Sequence, residues 1–162
     1  MDLFWEELTT GLGDSRQLAR VLIRLLAATL LGAIVGFERE RAGKPAGLRT
    51  HTLVCVGTAV FVLVCTSAGM SSDGLSRVIQ GIVTGIGFIG AGTILKVNEE
   101  HEIKGLTTAA GVWMTAAIGV GVGLGVIGIA ALSTVLALII LAVVGAIEAR
   151  AEKKDFKSNE NH

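Results

Sequence analysis

A stretch without a single charged side chain runs from residue 105 to residue 147. Its 43 residues are too many for one crossing of a bilayer, because a spanning helix needs about 20 mostly apolar residues. Gly121, Gly123 and Gly125 lie near its middle, and glycine disfavours the interior of a helix. The stretch therefore predicts two membrane-spanning helices, at residues 106–122 and 124–147, joined by a tight turn.

Three further apolar segments precede this stretch, at residues 19–37, 50–70 and 78–95. The composition agrees with a membrane protein, since 51% of the residues are hydrophobic and only 17% are charged, against about 25% charged residues in soluble domains. We therefore expect an all-α integral membrane protein whose five transmembrane helices form a glycine-rich bundle.

The basic residues are divided unevenly between the two sides of this bundle. Ten of the 14 Lys and Arg residues fall after the first, third and fifth spans, and such residues face the cytoplasm. This predicts an N-out/C-in orientation. Residues 1–18 would form an interfacial segment, residues 19–147 the five-helix domain and residues 148–162 a cytoplasmic polar tail. Arg24, near the outer end of the first span, is expected to snorkel towards the headgroups.

Glycine is concentrated in the second half of the chain, where residues 81–125 hold eleven of the 22 glycines. Small residues permit close approach of membrane helices, so we expect the third span to be the central helix. Gly32 and Gly36 give the first span a small-residue face of its own. A run of glycines can also break a helix and expose its backbone to a ligand. Both alternatives involve Gly81, Gly85, Gly87, Gly90 and Gly92.

Charged residues cluster where the first span ends and the second begins. Glu38 and Arg39 close the first span, and Arg49 opens the second. A charge at this depth is costly unless it is paired or hydrated, so a Glu38–Arg49 or Glu38–Arg39 pair is expected at the cytoplasmic mouth. The pair would bind a cation, a lipid headgroup or a partner, with Glu38 as the one candidate metal ligand. The alternative is a simple positive-inside anchor.

Hydroxyl and aromatic side chains of the third and fourth spans allow two interpretations. Thr107 and Thr108 would cap the start of the fourth helix. Alternatively, they would line a small polar cavity together with Thr84. Trp113 is expected to pack against glycines rather than to form a binding platform.

Several classes of protein are disfavoured by the residues present. A net charge of zero argues against a nucleic-acid-binding protein, which would be basic. The three histidines lie in or beside predicted loops, and no nucleophile–base set can be argued, so we do not expect an enzyme. No carboxylate lies within the predicted membrane core, although Mg²⁺ prefers oxygen ligands.

Four ordered blocks of the sequence resemble the MgtC/SapB family of bacterial membrane proteins. They are LLAATLLGAIVGFER at residues 25–39, AGLRT at residues 46–50 with the following Leu53, Val54 and Gly57, the glycine-rich residues 81–92, and GLTTAAGVW at residues 105–113 with Ala117 to Gly119. The resemblance extends over nearly all five spans.

This resemblance implies a multi-pass protein of the bacterial inner membrane that is linked to survival at low magnesium and to virulence. It also implies restraint of the F-type ATP synthase. Longer members carry a soluble cytoplasmic domain after the last span, and we do not expect this chain to share the functions of that domain. Our hypothesis is a regulator that acts on a membrane partner, which would be the F-type ATP synthase, another membrane protein or a second copy. The rival hypothesis is a small magnesium or proton transporter or channel with a path between the third and fourth spans, gated at Glu38 and Arg49.

Overall fold

The computed structural model of the protein describes Phe4, residues 14–97 and residues 102–159. Over these residues the chain forms five helices and one short hairpin. The helices are α1 (Ser15–Arg41), α2 (Leu48–Ser67), α3 (Ser72–Ala91), α4 (Leu106–Leu124) and α5 (Ile127–Asn159). The strands are β1 (Leu95–Val97) and β2 (Glu102–Lys104), which lie between α3 and α4.

The helices have the lengths and surfaces of a membrane protein. The first four, α1 to α4, are long and apolar enough to cross a bilayer. The apolar part of α5, Ile127–Val143, is shorter than the other four, and the helix continues into polar sequence. Large apolar side chains such as Leu26, Phe88 and Leu132 are exposed along the bundle, as expected where lipid rather than water surrounds it. Apart from the short hairpin, the described chain is a helical membrane protein, and its N-out/C-in orientation stays a prediction.

Capping residues and one glycine explain where several helices begin and end. Asp14 accepts a hydrogen bond at 2.9 Å from the backbone N–H of Gln17 and starts α1, and Ser71 caps α3 in the same way. These are the side chains that satisfy the free N–H groups of a helix start. Gly125 ends α4 with a φ of +87°, a left-handed conformation that glycine adopts without steric cost. The predicted tight turn is therefore confirmed at Gly125.

The centre of the bundle is α4, which contacts α1, α2, α3 and α5. Of the 18 most apolar consecutive residues of α4, half are buried, compared with 11% in the corresponding segment of α3. The expectation that the third span is central was wrong. The physical reason is that the glycines allowing close approach inside the chain lie mainly on α1 and α4, whereas most glycines of α3 face outward.

The glycine-rich helix α3 is continuous from Ser72 to Ala91. The alternative of a helix broken within this segment is therefore not what the structure shows. Gly90 packs against α4, since a Cβ added there would lie 3.6 Å from the Cβ of Ala109. Gly92 follows the last helical residue and forms the C-cap.

The connection between α3 and α4 contains an antiparallel hairpin that was not predicted. Leu95 pairs with Lys104, and Val97 pairs with Glu102. Gly105 follows β2 with a φ of +98°, and a Cβ there would overlap the carbonyl oxygen of Thr93.

The two predicted flanking segments are only partly described. Most of the interfacial segment, residues 1–18, lies outside the described residues, and its last four residues belong to α1. The polar tail, residues 148–162, is helical through Asn159.

Candidate functional site

Close packing of α1 against α2 positions the polar residues at one end of the bundle. A Cβ added to Gly36 would lie 2.7 Å from the Cα of Leu48, and one added to Gly32 would lie 2.7 Å from the Cβ of Cys55. The two backbones therefore touch, as the small-residue face predicted. This contact places the last turns of α1 directly beside the first turn of α2.

Arg39 and Glu38 form a buried ion pair at this end. Arg39 is only 3% exposed, and its Nη2 donates a hydrogen bond at 2.7 Å to Oε1 of Glu38. The Nε of Arg39 pairs with the other carboxylate oxygen. A buried charge is costly unless a partner compensates it, and the two-point contact provides that compensation. The structure thus forms the predicted Glu38–Arg39 pair.

The predicted meeting of Glu38 with Arg49 is not seen. Arg49 is exposed on α2, and in the described part of the chain it has neither an ion pair nor a side-chain hydrogen bond. The reason is that Arg39 already occupies both oxygens of Glu38. A magnesium ion at Glu38 would therefore have to displace Arg39. Within the described residues, no group of three or more His, Cys, Asp or Glu side chains could hold a metal ion.

Glu40 has a structural role that was not predicted. Its Oε2 accepts a hydrogen bond at 2.9 Å from the backbone N–H of Leu48, the first residue of α2. Gly47, at the N-cap position, has no side chain to do this. Glu40 therefore caps α2 from across the loop, and its negative charge suits the positive end of that helix.

His51 is a second residue that the sequence analysis missed. It was placed in or beside a loop, but it lies in the first turns of α2 and is completely buried. Its Nδ1 lies 2.7 Å from Oγ1 of Thr115 on α4. The Thr115 hydroxyl also lies 2.9 Å from the carbonyl oxygen of Gly111.

The Thr115 hydroxyl is the hydrogen-bond partner of the imidazole. A hydroxyl has one donor hydrogen and two acceptor lone pairs, so the Thr115 hydroxyl joins Nδ1 of His51 on α2 to the backbone of α4. Nε2 is buried and has no hydrogen-bond partner among the described residues. We call Glu38, Arg39, His51 and Thr115 the polar cluster.

A groove between α2 and α3 is the second candidate feature. Its volume is about 640 Å³, and its lining is almost entirely apolar. Gly57 of α2 and Gly81 and Gly85 of α3 contribute to its walls. A Cβ added to any of these three glycines would meet no atom within 4 Å. We call this feature the glycine groove. Gly87 is also exposed and without neighbours, but it does not line the groove.

The hydroxyl and aromatic residues singled out from the sequence are dispersed. Thr84 is exposed on α3 and donates to the carbonyl of Gln80, whereas Thr107 lines an apolar cavity between α1, α4 and α5. Thr108 is buried. The N-cap of α4 is Gly105, which supplies no side-chain cap. Trp113 is half-exposed and lines a cavity with isoleucine and valine side chains of α3 rather than with glycines. The three threonines therefore do not share one polar cavity.

Comparison with known proteins identifies the family. The profile of the MgtC family matches residues 25–150. SrpB of Synechococcus elongatus is 45% identical over 130 residues, which are 74% of this chain and 71% of SrpB. YhiD of Escherichia coli K12, named as a candidate magnesium transporter, is 40% identical over 85% of this chain and 66% of YhiD.

A third relative, MgtC of Brucella abortus strain 2308, is 45% identical over 79% of this chain. The matched region is 52% of that MgtC, so the chain corresponds to about half the length of this relative. No solved structure matches the chain. Since the family profile covers most of the chain, from within α1 to within α5, this protein belongs to the MgtC family.

Proposed function

We propose that this chain is a bacterial inner-membrane protein that acts in adaptation to low magnesium by regulating a membrane partner, the F-type ATP synthase. The family membership and the magnesium-related name of YhiD support the link to magnesium. The chain spans only part of the length of several relatives.

The glycine groove is the observation that carries this proposal. It lies between α2 and α3, is open at the surface of the bundle, and borders α3, the least buried of the four long apolar helices. In a bilayer, close backbone approach at small residues holds helices together. Gly81 and Gly85 follow the i, i+4 spacing that presents small residues on one helix face. We assign the groove to one transmembrane helix of the partner.

The glycines of the groove have no role inside the chain that would require them. Nothing lies within 4 Å of a Cβ at Gly81 or Gly85, so alanine or leucine would fit there. Glycine in a helix interior is about 1 kcal/mol less favourable than alanine. A second helix packed against these positions would provide the contact that the isolated chain lacks.

Co-purification tests this assignment. Gly81→Leu and Gly85→Leu would fill the groove without disturbing the fold, since both positions are open. We expect both variants to lose co-purification with the F-type ATP synthase from native membranes and to lose growth at low magnesium. Gly87→Leu is the matched control, because it adds the same side chain to α3 outside the groove.

Two results would overturn the proposal. The first is that the unmodified chain does not co-purify with the synthase. The second is that Gly87→Leu and Gly85→Leu have equal effects, which would show that bulk on α3, rather than occupation of the groove, causes the loss.

A second candidate function is transport of magnesium or protons between α3 and α4, favoured by the name of YhiD. A cavity of about 140 Å³ does lie between these helices, lined by Trp113 and apolar side chains. The test is flux of magnesium or protons in liposomes that contain the purified chain. Arg49→Gln is the more informative substitution for testing a gate at Glu38 and Arg49, because Arg49 is exposed. Glu38→Ala is less informative, because it would leave the buried Arg39 without its ion-pair partner. Flux that the unmodified chain carries and Arg49→Gln abolishes would favour the transporter over the regulator.

A further inference from the structure

A polar pocket lies at the end of the bundle opposite the polar cluster. Its volume is about 320 Å³, and it lies between the first turns of α1 and the last turn of α2. The lining residues from α1 are Gln17, Arg20, Val21 and Arg24, and those from α2 and the following turn are Leu63, Thr66, Ser67 and Gly69. We call it the arginine pocket. No acidic side chain is among these lining residues.

Arg24 is held in this pocket by the backbone of α4. Its Nη1 donates a hydrogen bond at 2.7 Å to the carbonyl oxygen of Gly123. A Cβ on Gly125 would overlap its guanidinium group. Arg24 therefore does not snorkel as expected, because the unpaired carbonyls at the C-terminus of α4 attract a cation. The guanidinium is fixed in position and partly buried.

Arg20 lies one helical turn before Arg24 on the same wall. It is exposed, and in the described part of the chain it has no hydrogen bond or ion pair. The hydroxyl of Thr66 on the opposite wall donates to the carbonyl of Leu63. The Thr66 hydroxyl and Nη1 of Arg24 already donate to backbone carbonyls. The Arg20 guanidinium keeps its full set of N–H donors for a ligand.

The chemistry of this pocket suits a phosphate group. A guanidinium presents several N–H donors in a planar fork that matches phosphate oxygens in a two-point contact. Two such groups one turn apart, without a carboxylate in the lining, leave a positive charge that the pocket itself does not neutralise.

The surface beside the pocket indicates the source of the phosphate. Val64 and Val60 lie three and seven residues before Ser67, so they continue the pocket face of α2 towards the middle of the span, and both are exposed. Basic pockets between transmembrane helices bind anionic lipid headgroups on the cytoplasmic side of membranes, and the same pairing of guanidinium with phosphate applies at the other headgroup layer. We propose that the arginine pocket binds the phosphate of an anionic phospholipid whose acyl chains lie along this face of α2.

The test is lipid binding by the purified full chain in neutral detergent. Phosphatidylglycerol is added, and binding is followed by native mass spectrometry and by the Tm of the protein. We expect Arg20→Gln to weaken phosphatidylglycerol binding about tenfold, since one charge-assisted contact is lost. The variant should fold normally, because Arg20 has no partner within the described residues.

Arg77→Gln is the matched control. Arg77 is exposed in α3, on the same side of the bundle, and does not line the pocket. Its substitution removes the same charge and should leave binding unchanged. If it weakens binding as much as Arg20→Gln, the attraction is general and the proposal is wrong.

Inorganic phosphate and phosphatidylcholine distinguish the possible sources of the ligand. If inorganic phosphate alone raises the Tm as far as phosphatidylglycerol does, the pocket is a site for a free anion and the assignment to a lipid is overturned. Equal binding of phosphatidylcholine and phosphatidylglycerol would show that the acyl chains and not the anionic headgroup are recognised, which would also overturn it. This inference does not depend on the proposed regulatory function.

Discussion

Two groups of glycines in this protein look alike in sequence and differ in structure. The first group, which we call the inner glycines, is Gly32, Gly36, Gly119 and Gly123, on α1 and α4. Each lies where an added Cβ would come within 2.9 Å of an atom of α2 or of the turn before it. The second group is Gly81, Gly85 and Gly87 on α3, where an added Cβ would meet nothing.

The difference teaches that glycine in a membrane helix has two separate uses. The inner glycines bring α1 and α4 against the two sides of α2, and the buried core of Val35, Cys55, Ala59 and Ile118 lies along these contacts. The outward glycines contribute nothing to that core. Substitutions at the two groups should therefore have different effects on stability, and the following predictions are ordered by expected size.

The largest effect is expected for Gly119→Ala. A Cβ at this position would overlap the backbone carbonyl of Cys55 and the hydroxyl of Thr58. Backbone cannot move aside as the end of a side chain can, so we expect a loss of about 3 kcal/mol or more. The measurement is thermal unfolding of the purified protein in detergent, with the yield of monodisperse protein as a second readout. A variant as stable as the unmodified chain would show that α2 and α4 are not packed as described.

A smaller effect is expected for Thr115→Val, which tests the same contact between α2 and α4 through its polar residues. The substitution keeps the shape of the side chain but removes the hydrogen-bond partner of Nδ1 of His51. Both ring nitrogens would then be buried without a partner, at a cost of about 1–3 kcal/mol.

Thr134→Val is the control for this prediction. Thr134 is also buried, but its hydroxyl bonds only to the carbonyl of Ala130 in its own helix. Its loss should cost clearly less in an unfolding measurement. Equal losses for the two variants would show that the contact between His51 and Thr115 does not stabilise the packing of α2 against α4.

The smallest effect, with the opposite sign, is expected for Gly85→Ala. The position is open, so alanine should leave stability unchanged or raise it by up to about 1 kcal/mol through its higher helix propensity. The same unfolding measurement checks this. A marked loss of stability would show that α3 packs against the rest of the chain at Gly85 and would remove the contrast between the two groups.

The sequence predicted the helices well and their arrangement less well. Apolar run length places a helix over every predicted span, because burial in lipid requires such runs whatever the neighbours are. The face of Gly32 and Gly36 was also predicted, since its spacing is local. The central position of α4 was not, because glycine spacing shows which faces allow close contact but not which of them find a partner within the chain.

The candidate site shows the same division. The Glu38–Arg39 pair joins adjacent residues and could be anticipated. The bonds of His51 to Thr115 and of Arg24 to Gly123 join residues far apart in the chain. The spacing of apolar and small residues along the sequence does not indicate such contacts. A histidine within an apolar run, two residues after Arg49, was the available signal for His51, and its proximity to the loop obscured it.

The bond from Arg24 to Gly123 has a consequence for how the helices slide along one another. Contacts between smooth glycine faces resist separation but have little directional preference along the helix axis. A hydrogen bond from a side chain to a backbone carbonyl is directional, and a shift of α1 by one turn, about 5.4 Å, would break it. Arg24 therefore fixes the axial register of α1 against α4, whereas the inner glycines on either side of α2 fix only how close the helices lie.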